Sequence, residues 1–359
     1  MKIYIVTGEK SGDLHASKIV ASLKRKSKNI FFRGWGGDNL KESGVDIVKH
    51  ISETSFMGFT SVIKNIFSIV KNIRFCKKDI LSYHPDVLLL VDYPGFNLKI
   101  AKFAKKRGIK VFYYIPPKVW AWNTNRINIL KKYVDHIIVS FPFEVDFYKK
   151  YNIEVNYFGN LILDEVNKIK ESNNSSDSVI ALLPGSRKQE IDLILPKMLS
   201  VVSAFPNYNF TIGATKLFSE KYYESFLKNK DVNIVYDDTY ALLNRAEVAL
   251  VTSGTATLET AFLNVPQVVC YKTNPITYFL AKLFIKTNFI SLVNILMKKE
   301  VVNEIIQEDL NKFNLIDAIN HAINNKKLIQ DDYHKLRELF NSNNQLSSDR
   351  IADFVIKSI

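Results

Sequence analysis

The sequence predicts two doubly wound α/β domains, each a parallel sheet with helices on both faces. Short, continuously apolar runs of β-type residues alternate with helix-forming segments, the pattern of strands buried on both faces. The runs form two series with a polar stretch between them. At 359 residues, 47% hydrophobic and 24% charged, the chain suffices for about two domains with full cores.

The first series comprises residues 3–7, 30–35, 87–92, 111–115 and 136–140. The second comprises 179–183, 210–213, 232–236, 248–252 and 267–271. Between them, 161–178 carries the aperiodic run Glu171-Ser172-Asn173-Asn174-Ser175-Ser176-Asp177, which suits a linker or exposed loop. The chain after Pro275 reads as mostly helical. The expected domains are 1–163 and 164–344, with a C-terminal helix at about 345–359 returning to the first. In such sheets ligands bind at the carboxyl ends of the strands, so chemistry is sought in the loops that follow them.

Composition narrows the partners. Forty-nine basic against 36 acidic residues give a net charge of +13, which favours anionic partners. No zinc-type or RNA-binding signature accompanies that charge, so nucleic acid is not expected. Cys76 and Cys270 form no disulfide framework and fit a reduced compartment. The first apolar run is too short for a signal peptide, and no apolar stretch reaches transmembrane length. A protein that is soluble or lies on a membrane surface is expected.

Five loops stand out. Residues 249–259 run from an apolar strand through Ser253-Gly254-Thr255-Ala256 into a helix with Glu259 about one turn in. Backbone N–H groups and a helix N-terminus suit a phosphate there, and Glu259 suits a sugar diol. A plain capped helix is the alternative. After the first strand, Thr7-Gly8-Glu9-Lys10-Ser11-Gly12-Asp13-Leu14-His15 offers a tight turn, with Ser11 or Asp13 as a cap. It lacks dinucleotide spacing. Asp92, ahead of Tyr93-Pro94-Gly95-Phe96-Asn97, is a general-base candidate or a brace for the turn. Pro116-Pro117-Lys118-Val119-Trp120-Ala121-Trp122 reads as a stiff aromatic wall for a sugar ring, or a packed interdomain loop. Pro184-Gly185-Ser186-Arg187 places a guanidinium at a strand-to-helix turn, to clamp a diphosphate or to pair with Glu190. No convincing metal-ligand cluster is present, and neither metal nor cofactor is expected.

Together these loops resemble the lipid-A-disaccharide synthases, glycosyltransferases of the GT-B fold, with two Rossmann-like domains facing a central cleft. The resemblance runs almost end to end in motif order. It includes Met57-Gly58, Trp120-Ala121-Trp122, Phe141-Pro142-Phe143-Glu144, Leu183-Pro184-Gly185-Ser186-Arg187, the 253–259 run, Lys286-Thr287 and Ile290-Ser291-Leu292. It implies an inverting, metal-independent transfer from UDP-2,3-diacylglucosamine to 2,3-diacylglucosamine 1-phosphate (lipid X). The products are a β-1,6-linked disaccharide phosphate and UDP. It implies catalytic roles for Asp92 and Arg187, with Glu9 as a secondary candidate. The substrate-binding set is Ser11, Gly12, Asp13, Asn97, Trp120, Gly185, Ser186, Ser253, Gly254, Thr255, Ala256 and Glu259. A homodimer stays open.

Three positions depart from the family pattern: Pro116-Pro117-Lys118, Gly159-Asn160-Leu161, and Gly95 where some members carry a second acid. Asp92 is therefore the only carboxylate of its loop.

Lipid substrates imply a site on the inner face of the bacterial inner membrane, reached from the cytoplasm. The candidate docking helix is 58–75, with Phe59, Val62, Ile63, Ile66, Phe67, Ile69, Val70 and Ile73 on its apolar face and Arg74, Lys77 and Lys78 at its end. A helix packed on its own core is the alternative. Two other functions remain: a UDP-sugar epimerase of similar fold, and a non-enzymatic protein binding anionic lipid.

Overall fold

The computed structural model describes residues 1–53, 66–121, 124–169, 178–228, 230–284, 287–340 and 345–359. It divides into two compact units: Met1–Leu161 with Leu280–Lys286 and Phe340–Ile359, and Ile162–Phe279 with Thr287–Leu339.

In unit 1, strands and helices alternate: β1 (Lys2–Val6), α1 (Lys10–Lys26), β2 (Phe31–Gly36), α2 (Asp38–Glu42), β3 (Asp46–His50), α3 (Ile66–Tyr83), β4 (Val87–Val91), α4 (Pro94–Lys105), β5 (Lys110–Tyr114), α5 (Arg126–Tyr133), β6 (His136–Val139), α6 (Phe143–Lys149) and β7 (Asn156–Tyr157). The sheet order is β3-β2-β1-β4-β5-β6-β7, with every pairing parallel. The chain reverses direction across the sheet between β1 and β4, where the loops bearing Glu9 and Asp92 emerge. Period-2 alternation divides each strand between two cores. Tyr4, Val6, Leu88 and Leu90 pack on one face, and Ile3, Ile5, Leu89 and Val91 on the other.

The segment read as a linker begins with a helix, α7 (Leu161–Val166). Unit 2 follows with β8 (Val179–Leu183), α8 (Lys188–Met198), β9 (Asn209–Ala214), α9 (Glu220–Leu227), β10 (Asn233–Tyr236), α10 (Thr239–Arg245), β11 (Ala246–Thr252), α11 (Thr255–Phe262) and β12 (Gln267–Tyr271). Then come α12 (Pro275–Phe284), α13 (Leu292–Met297), β13 (Glu304–Ile306), α14 (Lys312–Asn324), α15 (Lys326–Glu338) and the last helix, α16 (Ser347–Lys357). The second sheet runs β10-β9-β8-β11-β12-β13, again all parallel, with its switch point between β8 and β11. Within unit 1, α16 lies on α1, with Arg25–Asp349 at 2.6 Å and Lys26–Asp353 at 2.8 Å, and Ile351, Ala352 and Val355 enter the core.

The docking helix requires correction. Ile73 is buried, and Ile69 packs against the same core cluster as Cys76 and Ile80. These four are spaced by 4, 3 and 4 residues, so they form the inward stripe of α3. Asp79 reinforces this attachment by accepting from Tyr4 Oη at 2.7 Å and from Arg33 at 2.8 Å. The outward stripe holds Phe67, 88% exposed, with Val70, Phe75 and Leu81, interleaved with exposed Lys71, Arg74 and Lys78. Of the expected set, Phe67 and Val70 face outward; Ile66 opens the helix, and Phe59, Val62 and Ile63 lie outside the described residues. Among the described residues no helix is long and apolar enough to cross a membrane.

Candidate functional site

In unit 1 the Glu9 and Asp92 loops interlock. Asp92 and Tyr93 are both left-handed, with φ of 48° and 51°. Two consecutive non-glycine residues in that region mark a strained turn, held by its surroundings. The holders are visible. The Asp92 carbonyl accepts from Asn97 Nδ2 at 2.7 Å and from Tyr113 Oη at 2.8 Å, and its N–H donates to Tyr114 O at 3.0 Å. The Tyr93 ring then lies against Gly8, where any Cβ would collide with it. Burial, with the nearby Glu9 charge, pushes the Tyr93 phenol up to about 12. The turn thus brings Glu9 and Asp92 to one edge of unit 1.

Three expected ligands are otherwise engaged. Asp13 is 1% exposed, and its carboxylate accepts from the N–H groups of Gly37, Asn39 and Leu40 and from Asn39 Nδ2. It therefore caps the neighbouring helix α2 on the same face of the sheet and does not face a ligand. Asn97 is fully buried, and its amide also donates to the Val6 and Val91 carbonyls, so it braces the ends of β1 and β4. Trp120 donates its indole N–H to Glu144 Oε1 at 3.0 Å. Glu144 also accepts from Ser140 and Phe141 N–H; burial lifts its carboxyl to about 7 despite those donors. That explains the Phe141–Glu144 motif: it ties the aromatic loop to the start of α6. Trp122 lies outside the described residues. Ser11 is half-buried in the first turn of α1, and Gly12 is packed against the Thr7 hydroxyl. His15 is buried, edge-on to Tyr114. Gly95 is exposed with open space about it, so the missing second acid reflects the residue and not crowding.

In unit 2 the loop after β8 turns at Gly185, φ +100°, where a Cβ would strike the Glu190 carboxylate. Ser186 is exposed, and Arg187, 42% exposed, pairs with Glu190 at 2.6 Å. At the β11–α11 junction Gly254 is the N-cap and no side chain caps the helix. Thr255 and Ala256 are half-buried, leaving the first turn open to an anion. Ser253 donates its hydroxyl to Ile290 O at 2.9 Å. Glu304 in turn accepts from Ile290 and Ser291 N–H, both at 2.9 Å. The Ile290-Ser291-Leu292 motif therefore braces the Ser253 loop.

Glu259 lies one turn into α11, with Tyr240 Oη 3.4 Å from its carboxylate. Burial lifts the Glu259 carboxyl to about 7, with the Tyr240 contact opposing. Sequence reasoning missed Tyr240, because the contact joins α10 to α11 without local spacing. It missed Tyr113 and Tyr93 as braces for the same reason. Among the described residues no group of three or more His, Cys, Asp or Glu could hold a metal ion.

A sequence model of the family described as lipid-A-disaccharide synthetase matches residues 3–358. A lipid-A-disaccharide synthase of Syntrophus aciditrophicus is 34% identical over 354 residues, covering 94% of this chain and 92% of its own. Among solved structures, a glycotransferase of kitacinnamycin aligns at TM-score 0.66 and 13% identity, covering 100% of this chain and 98% of that one. A UDP-GlcNAc 2-epimerase of Neisseria meningitidis, bound to UDP-GlcNAc, aligns at 0.64 and 14%, covering 100% of this chain and 99% of that one. At such identities the two structures establish a shared GT-B fold and nothing finer.

Proposed function

The chain belongs to the lipid-A-disaccharide synthase family and is a glycosyltransferase that forms the lipid A disaccharide; from that premise we propose its substrates and the roles of its residues. The donor is UDP-2,3-diacylglucosamine and the acceptor is 2,3-diacylglucosamine 1-phosphate. The family match from residue 3 to residue 358 carries this reading.

Asp92 takes the proton of the acceptor 6-hydroxyl as that oxygen bonds the donor anomeric carbon. The bond from that carbon to the UDP oxygen breaks on the opposite face, inverting the centre. The electron pair leaves on UDP, where Arg187 and the N–H groups of Thr255 and Ala256 stabilise the charge. Glu259 accepts from the ribose hydroxyls, and Glu9 supports the acceptor beside Asp92. The test is UDP release and mass analysis with both acylated sugars and with each alone. Disaccharide phosphate and UDP formed only with both support the reading. Conversion of a UDP-sugar without acceptor would instead indicate an epimerase.

The Glu259 role carries a sign in pH. An ionised carboxylate is the stronger acceptor for ribose hydroxyls. With its carboxyl raised to about 7, Glu259 is ionised at pH 8 and largely protonated at pH 6. Affinity for UDP-N-acetylglucosamine, whose phosphodiesters do not titrate in this range, is expected to fall roughly tenfold between pH 8 and 6. Titration calorimetry reads it; Glu259→Gln should flatten the profile, and a flat wild-type profile rejects the ribose contact.

Both substrates reside in a bilayer, and the outward stripe of α3 fits the cytoplasmic face of an anionic membrane. Phe67, Val70 and Leu81 supply apolar insertion, and Lys71, Arg74 and Lys78 supply charge. Phe67→Glu with Val70→Glu is expected to weaken binding to phosphatidylglycerol vesicles by about an order of magnitude. The melting temperature should hold, because neither side chain enters the core. Unchanged vesicle binding rules this surface out.

A further inference from the structure

Glu144 is a buried carboxyl that the roles above leave unused. It lies at the start of α6, 1% exposed, and three N–H groups converge on it. One carboxylate oxygen accepts from Ser140 and Phe141 at 3.2 and 3.0 Å, and the other from the Trp120 indole at 3.0 Å. We propose that Glu144 is a positioning residue for the acceptor: by holding the indole N–H it fixes the Trp120 ring as a wall against which the acceptor glucosamine lies beside Asp92. The proposal rests on the transfer assigned above and adds what orients the acceptor.

Position is the first argument. The Trp120 loop leaves β5, and the Asp92 loop leaves β4, its neighbour in the sheet. The two loops are tied directly. Tyr113 Oη donates to the Asp92 carbonyl at 2.8 Å, and Asp92 N–H donates to Tyr114 O at 3.0 Å. Val119, next to Trp120, is fully buried in the same core cluster as Tyr113 and Phe96, and Tyr93 packs against that cluster. The acceptor hydroxyl must reach Asp92, so its ring is held by what surrounds the Asp92 turn.

Stiffness is the second. Ile115 is left-handed, with φ of 54°, and the buried Pro116 and Pro117 follow it. Tyr148 Oη donates to Pro117 O at 3.4 Å, and Ala121 N–H donates to Lys118 O at 3.0 Å. Trp120 is half-buried, with Phe143 edge-on at 5.1 Å between ring centroids. Its N–H is engaged while part of its surface stays open. A fixed aromatic surface of this kind suits the C–H face of a pyranose.

The choice of a carboxyl is the third. A neutral amide would tie down a loop at a lower desolvation cost. Burial lifts this carboxyl to about 7, although the Lys118 charge and the three donors oppose the rise. What the carboxylate offers is an acceptor on each oxygen, which glutamine lacks. One oxygen suffices for Ser140 and Phe141, and the second serves Trp120.

The experiment measures disaccharide formation with each substrate varied at saturating levels of the other, for the wild type, Glu144→Gln, Trp120→Phe and the double variant. Glutamine can keep the Ser140 and Phe141 bonds with its oxygen while its NH₂ faces the indole N–H, so it cuts the Trp120 tie selectively. The KM for 2,3-diacylglucosamine 1-phosphate is expected to rise about tenfold, with kcat and the donor KM held within about threefold. Trp120→Phe, which keeps a ring without the N–H, should give a similar rise. Glu144→Gln should then add less than about twofold in the Trp120→Phe background. Equal rises for both substrates, no rise for either, or a full effect of Glu144→Gln in that background overturn the proposal, since Glu144 would then be a general support of the fold. If Glu144→Gln does not fold, Trp120→Phe decides, and an acceptor KM within about twofold of wild type overturns the proposal. An active wild type whose variants lack the split rejects the positioning role alone. A wild type that forms no disaccharide rejects the transfer reading as well.

Discussion

Asp92→Asn is expected to lower kcat by about 10²–10⁴-fold while the fold, the melting temperature and UDP affinity stay near wild type. Three of the contacts that hold this residue are made by its backbone. Its carbonyl accepts from Asn97 and Tyr113, and its N–H donates to Tyr114. Asparagine keeps all three and tolerates the left-handed φ of 48° as well as aspartate does. The amide cannot accept the acceptor's proton. The loss should therefore fall on kcat and not on KM, the pattern of an interaction made only in the transition state. Turnover within about threefold of wild type would remove Asp92 from the base role.

How far such a site can be read from sequence depends on how local its contacts are. Strands buried on both faces, such as Val87–Val91 and Val179–Leu183, announce themselves as continuous apolar runs. β3, β7 and β13 do not, because they are edge strands. β3 carries Asp46, Lys49 and His50, β7 has two residues, and β13 begins with Glu304. The loops that carry the candidate residues were legible because they follow recognisable strands, and the Arg187–Glu190 pair because it is local. Asp13 was not, since its partners at the start of α2 lie 24–27 residues further along the chain. α3 shows a further limit. It has two apolar stripes, and periodicity alone cannot say which one the sheet claims.

Arg187 gives the second large effect. Arg187→Ala is expected to lower kcat by about 10²–10³-fold, the scale for removing one preorganised group that stabilises developing charge. Stability should change by less than about 1 kcal/mol, because the ion pair with Glu190 is solvent-exposed. The single variant, however, does two things: it removes a cation and leaves Glu190 beside the leaving diphosphate. The Glu190 carboxylate lies against the Gly185 turn, in the loop assigned to the diphosphate. Arg187→Ala combined with Glu190→Gln separates the two effects. If Arg187 stabilises the leaving group, the double variant recovers only a minor part of the loss. Arg187→Lys should then recover more than alanine yet stay below wild type, because an ammonium keeps the charge but lacks the two-pronged fork. If the double variant restores turnover, the guanidinium serves only to neutralise Glu190. The leaving-group charge would then rest on the N-terminus of α11.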